Sequence, residues 1–292
     1  MSAPRRTLIL GGRNGLLGQA LTTAFTAAGW EVRPVSRADF DPFDQDASAR
    51  ALKEFKPDTV INAVAYTAVD KAEDEPEEAY RLNRDLPALW GRLAAEAGAG
   101  LVHYGTDFVF DGQKGAPYAE DDAVNPECVY GASKLAGERA LLDLSPDGLL
   151  IIRISWLFGP GKTNFVEKIL GFARTREVLN VVADQIGSPS YTPELAAASL
   201  ALIKAQAAGI FHAACQGAAS WRDLAAEAVA QAGIPCEVRP IASSEYPQKA
   251  KRPSYSVFDL GKLRGATGMT PMDWREAVAR YVRADLGLGG AS

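Results

Sequence analysis

Short apolar runs alternate with longer amphipathic stretches along the first half of the chain. Thr7 to Gly11, Glu31 to Ser36, Thr59 to Ala65, Leu101 to Tyr104 and Leu149 to Ile154 read as strands, bounded by glycine or polar residues. Between them, Gly15 to Ala28, Ala47 to Phe55, Pro76 to about Ala97 and Tyr130 to Leu142 carry apolar residues at helical spacing. Gly29 and Lys56-Pro57-Asp58 stop the first two helices, and Pro126 opens the last. Alternation at this interval implies an α/β fold, a doubly wound parallel sheet with helices on both faces.

Beyond Phe165 the alternation loosens. Asn164 to Arg174 is helical, Val178 to Val182 a strand, Pro193 to Ala207 a helix and Gly209 to Ala214 a strand. Ser220 to Ala232 is helical with Ser220 as its N-cap, Pro235 to Arg252 is irregular, and Asp273-Trp274-Arg275 begins a final helix. Asp111 to Asn125 is loop by composition. No linker, repeat or low-complexity stretch separates two parts. The expected organisation is a dinucleotide-binding domain over residues 1–160 and a smaller, interleaved substrate domain over 161–292. Segments near 178–183 and 193–215 are expected to return to the first.

A chain of 292 residues with 47% hydrophobic and 23% charged content has the composition of an ordinary globular protein. Its net charge of −5 argues against a nucleic-acid partner or a polybasic membrane anchor. Cys128, Cys215 and Cys236 are widely spaced, so neither a disulfide framework nor a zinc site is expected. His103 and His212 are the only histidines and read as structural. No apolar run reaches signal-peptide or membrane-spanning length, and the expected compartment is the cytoplasm.

Chemistry enters with Gly12-Arg13-Asn14-Gly15-Leu16-Leu17-Gly18, placed between the first strand and the first helix. Glycines let backbone pass close to a pyrophosphate, and a helix N-terminus offers free N–H groups and positive potential. Gly12, Asn14, Gly15, Leu16 and Leu17 are therefore candidate dinucleotide contacts, against the plainer reading of a tight turn. Arg37 follows the second strand, where an acidic residue would hold a ribose 2′-OH. Its planar fork suits a 2′-phosphate, which favours NADPH and leaves NADH open; otherwise it is a solvated surface arginine. Asp41 and Phe43 fall where the adenine end could rest. Ala63 and Ala65 at the carboxyl end of the third strand, and Tyr66 and Thr67 just after it, lie where small residues leave room for the cofactor.

Tyr130 and Lys134 stand four residues apart and share one helical face. A fixed positive charge beside a phenol favours the phenolate, so this pair can move a proton at neutral pH. The spacing alone is common, and the plainer reading is an aromatic and a lysine on a half-exposed helix. Thr106 places a hydroxyl at the end of the fourth strand, with Asp107 next to it; Thr106 could equally be an ordinary β-branched strand residue.

Together these motifs resemble the extended branch of the short-chain dehydrogenase/reductase superfamily, a Rossmann fold. Three stretches narrow the resemblance to the dTDP-4-dehydrorhamnose reductase family: Asn62 to Glu73, Thr106-Asp107-Phe108-Val109-Phe110 and Val129 to Glu138. Arg153-Ile154-Ser155-Trp156 and Asp184-Gln185-Ile186-Gly187-Ser188-Pro189 add to it, and the likeness runs in order from Leu8 to about Trp274. It implies that Tyr130, Lys134 and Thr106 are catalytic and that Tyr130 gives a proton to the sugar C4 oxygen. Lys134 would lower the tyrosine pKa and hold the nicotinamide ribose. Thr106, Asp107 and Trp156 would contact the sugar, Trp156 being otherwise a core aromatic.

Arg252, in the basic cluster Lys249-Ala250-Lys251-Arg252-Pro253, matches an ARRP stretch of the family, which favours contact with the substrate diphosphate over an ordinary solvated loop. Some members form dimers bridged by magnesium; Glu194 is the carboxylate offered for it, though a lone glutamate on a helix is usually solvated. A monomer or homodimer acting on a nucleotide sugar is implied. Two departures stand out: Gly105 where the family usually has Ser, and Ser133 where many members have Thr. Competing readings are another nucleotide-sugar epimerase or dehydratase, or a non-catalytic NADP-binding regulatory subunit. Dehydratases generally carry an acidic pair beside the hydroxyl, and Thr106-Asp107-Phe108 has one acid. Intact Tyr130, Lys134 and Thr106 weigh against lost chemistry.

Overall fold

The computed structural model describes residues 4–144 and 147–288; the outer ends of the two expected domain ranges, 1–3 and 289–292, lie outside them. Six parallel strands form the main sheet. β1 (Arg6–Leu10) pairs with β2 (Glu31–Val35) on one side and β3 (Thr59–Asn62) on the other. β4 (Gly100–Thr106) and β5 (Leu149–Ile154) continue from β3, and Gly209–His212 closes the far edge against β5. The spatial order from the β2 edge is therefore 2-1-3-4-5 and then the late strand. The order reverses between β1 and β3, and a crevice opens there at the carboxyl ends of the strands.

Helices cover both faces because the strands are apolar on both. One face buries Leu8, Leu10, Val60, Leu101 and Ile151 against Trp90, Leu86, Leu93 and Leu141. The other buries Ile9, Ile61, Val102, Leu150 and Ile152 against Leu21, Phe25, Leu195 and Leu202. Each such side chain contributes about 1.5–3 kcal/mol of apolar burial. The first helix, α1 (Leu16–Ala27), turns Leu17, Gly18, Leu21 and Phe25 inward, and helix Thr192–Lys204 packs along it. The long helical region after Pro76 is interrupted at Arg81–Asp85 by one wider, π-type turn.

A second apolar cluster lies outside this sheet, around Trp274, Tyr281, Leu224, Ala228, Val166 and Leu170. The strand Val178–Val182 belongs here. It pairs in parallel with Glu237–Ile241, not with the main sheet, which corrects the expectation that residues near 178–183 return to the first domain. Val238 and Pro240 register with Leu179 and Val181, and helix Trp221–Gln231 covers the pair. Glu237–Ile241 falls in the stretch expected to be irregular, since Pro240 and alternating charge mask its strand pattern; on a two-stranded edge a proline costs no interior ladder bond. Helix Gly261–Thr267 was likewise hidden by its two glycines. Ser220 caps its helix through a reciprocal bond with Asp223, as its sequence position implies.

Candidate active site

The glycine turn is built for close approach. Gly11 has a left-handed backbone (φ 77°), and Gly15 donates its amide to the Gly11 carbonyl at 3.0 Å. A Cβ at Gly18 would stand 2.2 Å from that same carbonyl, so only glycine lets α1 sit this tightly on β1. No side chain caps α1, and its first turn carries no acidic residue. The N–H groups of that turn and the positive end of the helix dipole face the crevice, which is the donor set a pyrophosphate requires. The cradle therefore fits a dinucleotide.

Two cavities meet over this turn and share Gly15, Ala63, Val64, Ala65 and Lys162. The outer one, about 370 Å³, is walled by Asn14, Ser36, Arg37, Phe40 and Pro42. The inner one, about 450 Å³, runs past Leu16, Leu17 and Thr67 to Thr106, Asp107, Tyr130, Lys134 and Trp156. Asp39, the acid nearest the end of β2, is taken up by the Arg13 guanidinium through two 2.9 Å bonds and by Ser36. Arg37 remains in the wall of the outer cavity.

Four expected cofactor contacts lie elsewhere. The Gly12 amide is bonded to the Ile9 carbonyl and its Cα packs on Pro34, outside both walls. Tyr66 is turned away, its amide donating to Asn83 and its hydroxyl to Glu75. Asp41 accepts the amide of Phe43, and Phe43 lies under the Arg81 guanidinium at 4.1 Å, so Phe40 and Pro42 form the wall where these two were expected.

At the inner end, the helix Val129–Leu144 delivers Tyr130 and Lys134 on one face, and the end of β4 delivers Thr106. The Tyr130 and Thr106 side chains line the same cavity. The electrostatics differ from the expectation. Burial pushes the Tyr130 phenol up, the nearby Thr106 hydroxyl opposes this, and the Asp107 charge adds to it. The Lys134 ammonium donates to the Tyr104 carbonyl. Burial pushes Lys134 itself down to about 8, with Glu138 acting in the other direction. Tyr130 therefore keeps its proton at neutral pH, as a proton donor must.

Trp156 is held in an uncommon left-handed conformation (φ 48°). Its indole stacks on Trp221 at 3.7 Å and lies so close over Gly187 that a Cβ there would meet the ring at 2.7 Å. Beyond this stack opens a third cavity of about 600 Å³, lined by Lys168, Gln185, Trp221, Tyr246, Gln248 and Arg252. Arg252 lines this third cavity, whereas Tyr130 lines the inner one. Asp70 holds it with bonds of 2.8 and 3.1 Å and also accepts the amides of Lys249 and Ala250. The Arg252 guanidinium in turn holds the Asp70 carboxyl down at about 2.

Glu194 sits in the first turn of helix Thr192–Lys204, and no cluster of three or more His, Cys, Asp or Glu side chains suited to a metal occurs among the described residues. His103 bonds Asn62 and His212 bonds the Tyr118 carbonyl; burial pushes both imidazoles down, His212 to about 3. Among the described residues, no helix is long and apolar enough to cross a membrane.

Sequence reasoning overlooked several wall residues. Lys162 and Asn164 enter from the loop after Phe158, where Gly159 and Gly161 both take positive φ; the Gly-Pro-Gly signal was present but pointed to no partner. Glu138 and Arg153 sit in quoted motifs, yet their role emerges only in the fold: they form an ion pair, 1% and 3% exposed, behind Gly105.

A glycine-cradled crevice at the switch point of a doubly wound sheet, ending at a tyrosine and a threonine that line one cavity, defines a nucleotide-dependent oxidoreductase of the short-chain type. Comparison with known proteins narrows this. The chain belongs to the family described as RmlD substrate binding domain, whose family model matches residues 5–286. It is 38% identical to the dTDP-4-dehydrorhamnose reductase of Aggregatibacter actinomycetemcomitans, over 95% of this chain and 98% of that one. Among solved structures it resembles the Clostridium acetobutylicum dTDP-4-dehydrorhamnose reductase (TM-score 0.90, 37% identity, 96% of this chain and 99% of that chain). It also resembles the Bacillus anthracis enzyme solved in complex with NADP (TM-score 0.92, 32% identity, 96% and 99%).

Proposed function

We propose that the protein reduces the C4 carbonyl of dTDP-4-dehydro-L-rhamnose to dTDP-L-rhamnose, with NADPH as reductant. The observation that carries this is the continuous path from Arg37, across the uncapped turn of α1, to the Tyr130–Thr106 pair. The NADP complex of the Bacillus anthracis relative supports the choice of cofactor. NADPH, when bound, supplies a hydride to the carbonyl carbon. Arg37 meets the 2′-phosphate, the α1 amides and Lys162 meet the pyrophosphate, and Lys134 meets the nicotinamide ribose.

Thr106 and Tyr130 hold the sugar carbonyl oxygen, and Tyr130 gives it a proton as the alkoxide forms. Trp156 packs on the sugar, and the nucleotide lies towards Arg252 and Lys168 in the third cavity. The product serves as a precursor of surface polysaccharide, made in the cytoplasm.

The test is incubation of the purified protein with NADPH and enzymatically generated dTDP-4-dehydro-L-rhamnose. NADPH consumption matched by dTDP-L-rhamnose is expected, and Tyr130→Phe should lower kcat by about two to four decades, the usual worth of a positioned proton donor, with NADPH affinity nearly unchanged. Cofactor binding without turnover by the wild-type chain would favour a regulatory subunit; activity surviving Tyr130→Phe would remove Tyr130 as donor.

A further inference from the structure

The chain just past β5 is stitched to the segment after Gln185. The Ser155 hydroxyl donates to the Ser188 carbonyl, and the Trp156 carbonyl accepts the Ser190 amide at 3.1 Å. Ile186 and Gly187 pair in turn with Ser220 and Ala219, immediately before helix Trp221–Gln231. One short segment therefore fixes both Trp156 and Trp221.

The Trp156 indole is closed in on both faces. The Cβ built on Gly187 falls 2.7 Å from Cε2, 2.8 Å from Cζ2 and 2.9 Å from Nε1. Cε2 is a fused-ring carbon recessed between the other two, so an approach in the ring plane would meet those two first. The Gly187 backbone therefore lies over a face. Trp221 stacks at 3.7 Å and 7° from parallel, which leaves no room for backbone between the rings, so it takes the opposite face. Phe165 backs Trp221 at 4.7 Å. A left-handed backbone is unfavourable for a tryptophan and persists only where the surroundings impose it, as this stack does. The inner cavity is left chiefly with the rim of the Trp156 ring.

We propose that Trp221 is a positioning residue for the reaction: with Gly187 it clamps Trp156 so that the indole meets the sugar by its rim rather than by its face. The proposal rests on the reading that the sugar occupies the inner cavity beside Trp156. An aromatic rim is electropositive, and that of tryptophan carries an N–H donor. It is matched to the hydroxyl and carbonyl oxygens of a sugar, whereas a ring face is matched to its C–H groups. Trp221 lines the third cavity and not the inner one, so it reaches the sugar only through Trp156.

Because Trp221 also walls the third cavity, the test disturbs the clamp from both sides. Trp221→Ala removes one jaw. Gly187→Ala drives a methyl group against the other face of Trp156, from a residue that lines neither cavity. Both should alter the exciton circular-dichroism signal of the stacked indoles and lower kcat about tenfold, the worth of one misplaced contact, while NADPH still binds. dTDP, the nucleotide without its sugar, should bind Gly187→Ala as it binds wild type. In a Trp156→Ala background no ring remains to be clamped, so adding Trp221→Ala should lower kcat no further.

Losses that multiply in the double variant would overturn the proposal, as would a Gly187→Ala enzyme with an altered exciton signal and wild-type kcat. A Trp221 that only walls the third cavity would weaken dTDP and the nucleotide sugar alike and leave kcat unchanged, which also overturns it. If Trp221→Ala loses NADPH binding through misfolding, Trp221→Phe, which keeps a smaller stacking ring, should show the same pattern with a smaller loss. Wild-type protein that never oxidises NADPH with this sugar would remove the reaction and this proposal together; normal turnover with multiplying losses would remove the proposal alone.

Discussion

Replacing Gly105 by serine should destabilise this protein. Gly105 lies in β4 opposite Arg153 of β5, and a Cβ built on it falls 2.2 Å from Glu138 Oε1 and 2.9 Å from Arg153 Cγ. Neither atom can yield into solvent, since both side chains are buried and joined by bonds of 2.8, 3.2 and 3.2 Å.

Two costs bracket the outcome. Overpacking a well-filled site costs about 1–3 kcal/mol, and separating a buried ion pair costs about 3–5 kcal/mol. The reduced freedom of the unfolded chain returns at most about 1 kcal/mol. Gly105→Ala, which adds only the Cβ, should lose about 1–2 kcal/mol, and Gly105→Ser about 2–4 kcal/mol. Urea unfolding reads this as a lowered midpoint at constant slope. In a Glu138→Ala background the colliding carboxylate is absent, so the added cost of Gly105→Ser should shrink towards the Arg153 contact alone. A Gly105→Ser protein as stable as wild type would refute the argument, as would an unchanged penalty in the Glu138→Ala background.

Two further outcomes follow from the cavity walls. Arg37→Ala should weaken NADPH binding by one to two decades, about the worth of a charge-assisted bidentate contact, while leaving NADH binding nearly unchanged; equal losses, read by fluorescence titration, would remove the 2′-phosphate contact. Asp70→Asn should cost less than about 1 kcal/mol of stability, because the Asp70–Arg252 pair is partly exposed, yet raise KM for the nucleotide sugar by freeing Arg252 from its seat. Unchanged KM would place the diphosphate away from Arg252.

Much of this protein is written in short-range pattern. The strands Thr59–Asn62 and Leu149–Ile154 are legible because a buried parallel strand is apolar on both faces, and α1 because leucine and alanine recur between a glycine turn and Gly29. Tyr130 and Lys134 share a face by helical periodicity alone. Tertiary structure decided the rest, because burial and long-range partners carry no local signal. It assigned Val178–Val182 to a partner 59 residues on, seated Arg252 on Asp70, and turned Tyr66 to Asn83. It also decided the acid–base balance of Tyr130. Spacing set the phenol near a lysine, but the fold turned that lysine to the Tyr104 carbonyl and buried the phenol beside Thr106 and the Asp107 charge. A pKa depends on desolvation and on which charges face the group, and neither exists until the chain has closed around it.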